Sequence, residues 1–516
     1  MKRSCVLAAA LFFSGLASAA RAEPAAAADP SSGATGAADP AAPSAAEPAP
    51  VDRAPQQQPS SELSAVAFTT PSFGPRYTIE RVVVRGNRKT EAALVLGEIG
   101  LRPGDQVTAS DPRVEAARFR LLSLGFFLDV RLALERGSQR GGAVLVVDVE
   151  ERGTVILNAL YLGASAATPF WGGLDVAENN LLGRGISLGG GFVASTRPTV
   201  TEATPAFGAR VRALVPPLGD TGLTLSGTAM AVVGSEFFRT AGPSSSAEPS
   251  DFIALRTKRV GGVVGLGRAL SQSARLIIDF REEGVTAELP VMPIGVPGPP
   301  RAAPIGFEIQ PGFSRIGSVT ATFDFDTRSD PLVPRAGTHL ALSVEGATDD
   351  LGSSYEFVKL VTQGSFYRPA WHGHIWGFHV FGGALFGDAP FFDQFFVGDM
   401  NLFLPPRALG LNFSTQPSRN LLGTSIAMHR YDNFASRVLV EYAIPLWRRR
   451  RIVYSGDFFV ALGAFGMGSR DGVRDPSRSG FAAWPVDLTG DLGVRLDTTI
   501  GVFTLSIANA LGRVPF

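Results

Sequence analysis

Residue types able to do chemistry occur in this chain, but their settings suit other roles. Gly185-Ile186-Ser187-Leu188-Gly189 matches G-x-S-x-G, where a serine nucleophile sits on a sharp turn between a strand and a helix. Here GGFVAST follows, another strand-like run, and no helix is expected to complete the elbow. His372 and His374 form an H-x-H that could join His379 on a metal. They lie in AWHGHIWGFHV beside Trp371 and Trp376, at a strand end, where interfacial aromatics with polar partners account better for them. No Gly-Lys dipeptide is present, so there is no P-loop, and GLGRAL at 265–270 lacks the third glycine and following helix of a dinucleotide site. Trp447 and the arginines 448–451 read as a solvated turn anchored at lipid headgroups. No enzyme, metal or cofactor is expected. One charge stays unexplained: Arg407 in LPPRALGL (404–411), between prolines and apolar residues in a long irregular segment.

The elements around these residues set the class. In the N-terminal MKRSCVLAAALFFSGLASA, Lys2 and Arg3 precede an apolar run too short for an anchor. Ala17-Ser18-Ala19 supplies a cleavage pattern, so residues 1–19 read as a secretory signal peptide. Cys5, the single cysteine, falls inside it, so the mature chain has no thiol chemistry. Formal charge balances at 47 basic and 47 acidic residues, which argues against nucleic acid as a partner. Residues 20–75, rich in Ala, Pro, Ser and Gln, read as a disordered linker without a core.

From Tyr77 the texture changes. YTIERVVVRGN is a strand ending at a turn signal, and KTEAALVLGEIG a short helix followed by the loop LRPGD. SDPRVEAARFRLLSLG is a second helix, with Ser110/Asp111 as caps, Pro112 in the first turn, Gly125 as the stop and a stripe of Val114, Ala117, Leu121 and Leu124. FFLDVRLALERG and GGAVLVVDVEERG form a hairpin. Residues 77–152 therefore predict a small α+β domain, helices on one face of a three-stranded sheet.

From residue 153 to 516 helical periodicity vanishes. In SVTATFDFDT, Val319, Ala321, Phe323 and Phe325 alternate with Thr320, Thr322, Asp324 and Asp326. In SRVLVEYAI, Val438, Val440, Tyr442 and Ile444 oppose Arg437, Leu439, Glu441 and Ala443. A soluble sandwich would bury the apolar face against a second sheet. The charged positions and the export signal favour a transmembrane barrel with lipid outside and water inside. No later run of about 18 apolar residues exists, so a closed barrel is the way this chain would cross a membrane. Short turns alternate with long Pro/Ser/Gly-rich loops, and outer-membrane barrels keep their short side periplasmic. Fifteen strands can be counted; closure favours an even number, so sixteen antiparallel strands are expected, with Phe516 as a terminal aromatic.

An α+β domain leading into a barrel behind a signal peptide resembles the BamA/TamA superfamily of outer-membrane assembly and translocation proteins. VEAARFRLLSLGFFLDVRL is similar to the helix-to-strand passage of its POTRA domain. LDVAENNLLGRG resembles an early periplasmic hairpin of its barrel. FDFDTRSDPLVPRAGTHLALSVEG resembles its D-T-R…P…G hairpin (Asp326, Thr327, Arg328, Pro334, Gly337), and VEYAIPL its E-[FY]-x-x-P strand. The resemblance implies that 404–411 lies in a sixth extracellular loop folded into the lumen, where an Arg-Gly pair binds acidic residues of the inner wall. Arg407 takes the arginine place and Glu441 an acidic one. The residue after Arg407 is Ala408, the next glycine is Gly410, and the second acidic place is Ala461, leaving Asp324 as another carboxylate for the lock. A guanidinium binds a carboxylate through two parallel hydrogen bonds, which suits this role.

The implied function is assembly, insertion or translocation of other polypeptides by strand capture in the outer membrane of a Gram-negative bacterium, POTRA domain in the periplasm. The POTRA strand Phe127, Leu128, Asp129, Val130, Arg131 is the expected capture edge. Partners would be unfolded outer-membrane or secreted polypeptides, the bilayer and possible periplasmic chaperones or accessory lipoproteins. A dedicated two-partner-type secretion pore and a passive porin are the alternatives.

Overall fold

Burial of one shared core holds residues 77–152 together. The structure, a computed structural model, describes residues 75–516 except 109, 217–221, 241–247, 272, 291–294, 297–302, 331–332, 401–406, 417–420, 425, 427–428, 449–451, 471–483 and 509–516. The expected signal peptide, linker and terminal Phe516 lie outside the described residues, as does part of the 448–451 arginine run. In chain order come β1 (Tyr77–Arg85), α1 (Ala92–Ile99), β2 (Gln106–Val107), α2 (Pro112–Ser123), β3 (Phe127–Arg136) and β4 (Gly142–Glu151). Helix α1 ends on Gly100 at φ 65°, and α2 starts where the Asp111 carboxylate accepts from the Arg113 N–H at 2.9 Å. The sheet order is β2-β1-β4-β3, with β1 and β4 parallel. The sheet thus has four strands rather than three, because Gln106 and Val107, just after the loop LRPGD, pair with β1. Ile79, Val95, Ile99, Leu121, Val130 and Leu145 close the core beneath both helices.

The remainder is one antiparallel sheet of fifteen strands among the described residues: β5 (Val155–Gly163), β6 (Trp171–Leu181), β7 (Ile186–Ser195), β8 (Phe207–Val215), β9 (Leu223–Arg239), β10 (Phe252–Ala269), β11 (Ala274–Glu288), β14 (Gly312–Asp326), β15 (Gly337–Ala347), β16 (Glu356–Pro369), β17 (Ile375–Asp388), β20 (Phe434–Arg448), β21 (Val453–Gly468), β22 (Val486–Thr498) and β23 (Gly501–Ala508). Two short ribbons lie in connections: β12 (Gly295–Val296) with β13 (Ala303–Pro304), and β18 (Phe395–Phe396) with β19 (Tyr431–Asp432), the latter beside the one-turn helix α3 (Val397–Met400).

Each strand pairs with its sequence neighbours, and the sheet curls until its ends meet at one place, where the Leu157 N–H donates to the Ile500 carbonyl at 2.7 Å. The expectation of sixteen strands meets fifteen among the described residues, so β5 and β23 run in the same direction, away from the α+β domain. Alternation sorts the faces as expected: Phe323 is 39% exposed and Val438 56%, while Asp324 and Glu441 keep 9% and 8% on the inside. Connections at the α+β end are short. Most of those at the distal end are longer, although 327–336 at the α+β end exceeds 164–170 and 348–355 at the distal end; the longest is 389–433 between β17 and β20.

Residues 73–516 form one compact unit. The α+β domain meets the barrel through the β6–β7 turn and β22. The Glu91 N–H donates to the Gly183 carbonyl (2.8 Å), Asn180 Nδ2 to Thr90 Oγ1 (2.9 Å), and buried Arg152 pairs with Asp497 (2.9 Å). Gly183 is required there: its φ is 74°, and a Cβ would stand 2.1 Å from the Lys89 carbonyl oxygen.

Candidate functional site: a folded connection in the lumen

The 389–433 connection turns into the barrel because its aromatic residues find cover there. Phe391, Phe392, Phe395, Phe396, Val397 and Met400 are buried with Leu255, Val285, Ile316 and Leu385 of the strands. Inside this apolar patch sits one carboxylate. Arg281 of β11 donates to Asp393 through Nη1 (3.0 Å to Oδ1) and Nη2 (3.3 Å to Oδ2), and Lys359 Nζ of β16 donates to the Asp393 carbonyl at 2.6 Å. Arg281 also binds Glu283 at 2.7 Å and Glu345 at 3.3 Å, and the Arg259 guanidinium lies 3.7 Å over the Phe392 ring. Buried charges persist when each is paired and hydrogen-bonded, and this network does so for Asp393.

Arg407 lies inside the barrel but does not reach Glu441. Its Nη2 donates to Asp399 at 2.5 Å, its Nη1 to the Phe392 carbonyl at 3.1 Å, and its guanidinium stands 5.3 Å from the Phe396 ring centre. Glu441 is held by two parallel bonds from Arg495 of β22, 2.9 and 2.8 Å. The expected Arg407–Glu441 pair is therefore replaced by an arginine that braces its own connection and a carboxylate that braces the wall. The reason is supply. Arg495, on the same inner face, reaches Glu441 from the wall, while Asp399 lies only eight residues from Arg407. Asp324, the other candidate, binds Arg275 (3.2 Å) and His339 (3.1 Å) instead. Ala461 stands directly across from Glu441.

The tip explains the displaced glycine. Ala408 and Leu411 exchange backbone bonds (2.8 and 3.0 Å) around Leu409 at φ 50° and Gly410 at φ 82°, a two-residue turn with both central φ positive. Such a turn favours glycine at its second central place, where Gly410 stands. Leu411 then enters a recess made by absent side chains: a Cβ on Gly234 would lie 2.7 Å from Leu411 Cδ2, and one on Gly208 3.3 Å from Cδ1. Phe413 stacks on Trp171 at 5.0 Å, the Asn412 amide donates to Glu236 (3.1 Å), and Arg430 binds Glu236 at 2.9 Å. The connection thus spans the lumen from β17 to the β6–β9 wall.

The remaining motif residues fall into two groups. Asp326, Thr327, Arg328, Pro334 and Gly337 belong to the β14–β15 hairpin at the α+β end. Arg328 binds Asp326 at 2.6 Å, Thr327 N–H donates to the Thr338 carbonyl at 2.8 Å, and a Cβ on Gly337 (φ 103°) would strike the Thr327 oxygen at 2.2 Å. On β3, Phe127 and Val130 face the core, a register shift occurs at Leu128, and Arg118 Nε of α2 donates to the Val130 carbonyl at 2.9 Å. Val130 therefore turns its backbone to the free edge, and by alternation Leu132, Leu134 and Arg136 do so too. Asp129 and Arg131 pair with each other at 2.9 Å.

Ser187 lies on β7 with its hydroxyl on the Asn179 side-chain oxygen (2.9 Å), and strand β8 follows, so the elbow motif is part of a hairpin. His374 binds Tyr442 (2.6 Å), and His379 meets Ser365 (3.1 Å) on the inner face, which separates them. The sequence reading missed Arg281, Lys359 and Asp393. The signal was there: Arg281 and Glu283 share one strand face, and Asp393 interrupts the aromatic run FFDQFF.

Residues 77–152 match the family model described as surface antigen variable number repeat, the POTRA domain, and residues 180–404 match the Omp85 superfamily domain. Among solved structures, CdiB from Escherichia coli matches with TM-score 0.51 and 11% identity, over 84% of this chain and 72% of that one. BamA from Haemophilus ducreyi, in a crystal structure lacking POTRA domains 1–3, matches with TM-score 0.46 and 16% identity, over 84% and 81%. At 11% identity the likeness to CdiB is one of fold. No curated protein matches the sequence. With a POTRA domain leading into an antiparallel barrel, and both family models matched in that order, residues 77–152 carry a POTRA domain and residues 180–404 an Omp85 superfamily domain.

Proposed function

We propose that the protein inserts or translocates other polypeptides at the outer membrane by capturing and templating β-strands, without nucleotide or metal. The observation that carries this reading is the seam: β5 and β23 each have a sheet neighbour on one side only, and Leu157 of β5 donates a backbone bond to Ile500, the residue before β23. Unpaired strand edges are costly in lipid, and an incoming strand relieves that cost by pairing with them. In this reading residues 1–19 are the export signal, 20–75 a tether, 77–152 the periplasmic capture domain and 153–516 the barrel. Extended client segments add to the β3 edge, within Phe127–Arg131 and onward through Leu132, Leu134 and Arg136. Clients are unfolded outer-membrane or secreted polypeptides, with periplasmic chaperones or lipoproteins as possible helpers.

The alternative is a secretion pore dedicated to one exported polypeptide, for which the 389–433 connection must leave the lumen. A passive porin is disfavoured by that connection and by the POTRA domain. Depletion tests all three: loss of several folded barrels or secreted proteins supports the proposal, and loss of a single secreted protein supports the dedicated pore. Normal levels of every one sinks both.

A further inference from the structure

Between the inserted connection and the wall lies a cavity of about 380 Å³. Its wall side is formed by β16, β17 and β20, and its inner side by Gln394, Phe395, Asp399, Met400 and Arg407. Three cations line it, Lys359, Arg407 and Arg437, against one carboxylate, Asp399. That carboxylate is taken by Arg407. Arg437 reaches only the Asp399 backbone carbonyl, at 3.4 Å, and Lys359 the Asp393 carbonyl, at 2.6 Å. Lys359 also stands across from Glu345 and beside Asp393, both engaged by Arg281, so Arg437 is the lining cation whose nearest carboxylate is already taken, beside the apolar surfaces of Val361, Phe381 and Phe395. Low-dielectric walls around a charge excess of one sign concentrate counter-ions.

We propose that this cavity binds a phosphate dianion, as inorganic phosphate or as the phosphomonoester headgroup of a lipid. At neutral pH phosphate carries between one and a half and two negative charges, and its oxygens suit two guanidinium forks and an ammonium. Because Arg407 belongs to the connection and Lys359 and Arg437 to the wall, a bound phosphate bridges the two. It favours the inserted state by binding that state more tightly. The inference rests on the cavity alone and stands apart from the nature of the client.

The test uses full-length protein in detergent, titrated with sodium phosphate against sodium chloride at matched ionic strength. Binding is read by calorimetry, and insertion by limited proteolysis of the 389–433 connection. Saturable binding and protection are expected, weakened at least about tenfold by Arg437→Ala and by Lys359→Met, with Arg437→Lys retaining part of the effect. Heat-modifiable electrophoretic mobility checks that each variant is folded, and if one fails to fold the other carries the test. Vesicles of phosphatidylcholine with and without phosphatidic acid separate the sources: protection by phosphatidic acid without added phosphate assigns the lipid headgroup, and protection by free phosphate alone assigns the soluble anion. Absence of saturable phosphate binding in both settings, or binding unchanged in the folded variants, overturns the proposal.

Discussion

Asp393 and Arg407 divide the work that sequence reasoning had placed on one ion pair, and their replacement separates their roles. Asp393→Asn removes the carboxylate from Arg281, which keeps Glu283 and Glu345. The expected cost is therefore that of hydrogen bonds to a charge, roughly 1–3 kcal/mol, rather than that of a fully orphaned ion. It appears as faster proteolysis of the 389–433 connection in an intact barrel. Arg407→Ala is expected to loosen the same segment through Asp399 and the Phe392 carbonyl. Glu441→Gln, which touches Arg495 on the wall, leaves that proteolysis unchanged; equal effects of the two would restore an Arg407–Glu441 lock. Gly234→Val fills the recess of Leu411 and shifts the tip, read as a change in Trp171 fluorescence as Phe413 unstacks.

Elements carry the next predictions. On α1, half-buried Glu98 has its carboxyl pKa raised above 4.5 by desolvation, which Arg120 only partly offsets. The folded state then holds the proton more tightly than the unfolded one. This contribution to stability is full below the unfolded value and is lost as pH rises through the raised folded value. Glu98→Gln is accordingly expected to slow hydrogen exchange in α1 at neutral pH, the gain over the wild type vanishing below about pH 4.5. On β3, Arg118 caps the Val130 carbonyl. Arg118→Ala should open the upper part of the edge, so photo-crosslinking of clients from Asp129 rises relative to crosslinking from Leu134. Equal yields in both proteins would show that the cap is irrelevant to capture.

At the scale of the whole molecule the seam is the feature to constrain. Cross-linking Leu157→Cys to Ile500→Cys with a short bismaleimide joins the edges where the Leu157–Ile500 backbone bond lies. If strand templating is the activity, the joined protein fails to support assembly and the unjoined double variant succeeds. Full activity after complete joining would exclude lateral templating at this seam. The α+β domain is held against the barrel by Arg152–Asp497, a buried pair. Removing Asp497 leaves a buried guanidinium uncompensated and costs about 3–5 kcal/mol, measured as earlier loss of the domain's amide protection on heating.

Local rules carried much of this protein in the sequence. The cap at Asp111, the stop at Gly125 and the alternation around Phe323 and Glu441 are set by neighbours one to four residues away, so fold class and inner face were legible without coordinates. The family resemblance came from motifs with the same short reach, such as Asp326–Arg328 and Gly337. Partner choice depended on distances along the chain that no local rule spans. Arg281 meets Asp393 across 112 residues, Arg495 meets Glu441 across 54, and Leu411 finds its recess where two glycines of different strands coincide. A one-dimensional pattern says which residues face inward, but barrel register and the path of the inserted connection decide which inward charges meet. The family resemblance implied a lumenal place for Arg407; only the tertiary structure gave it Asp399.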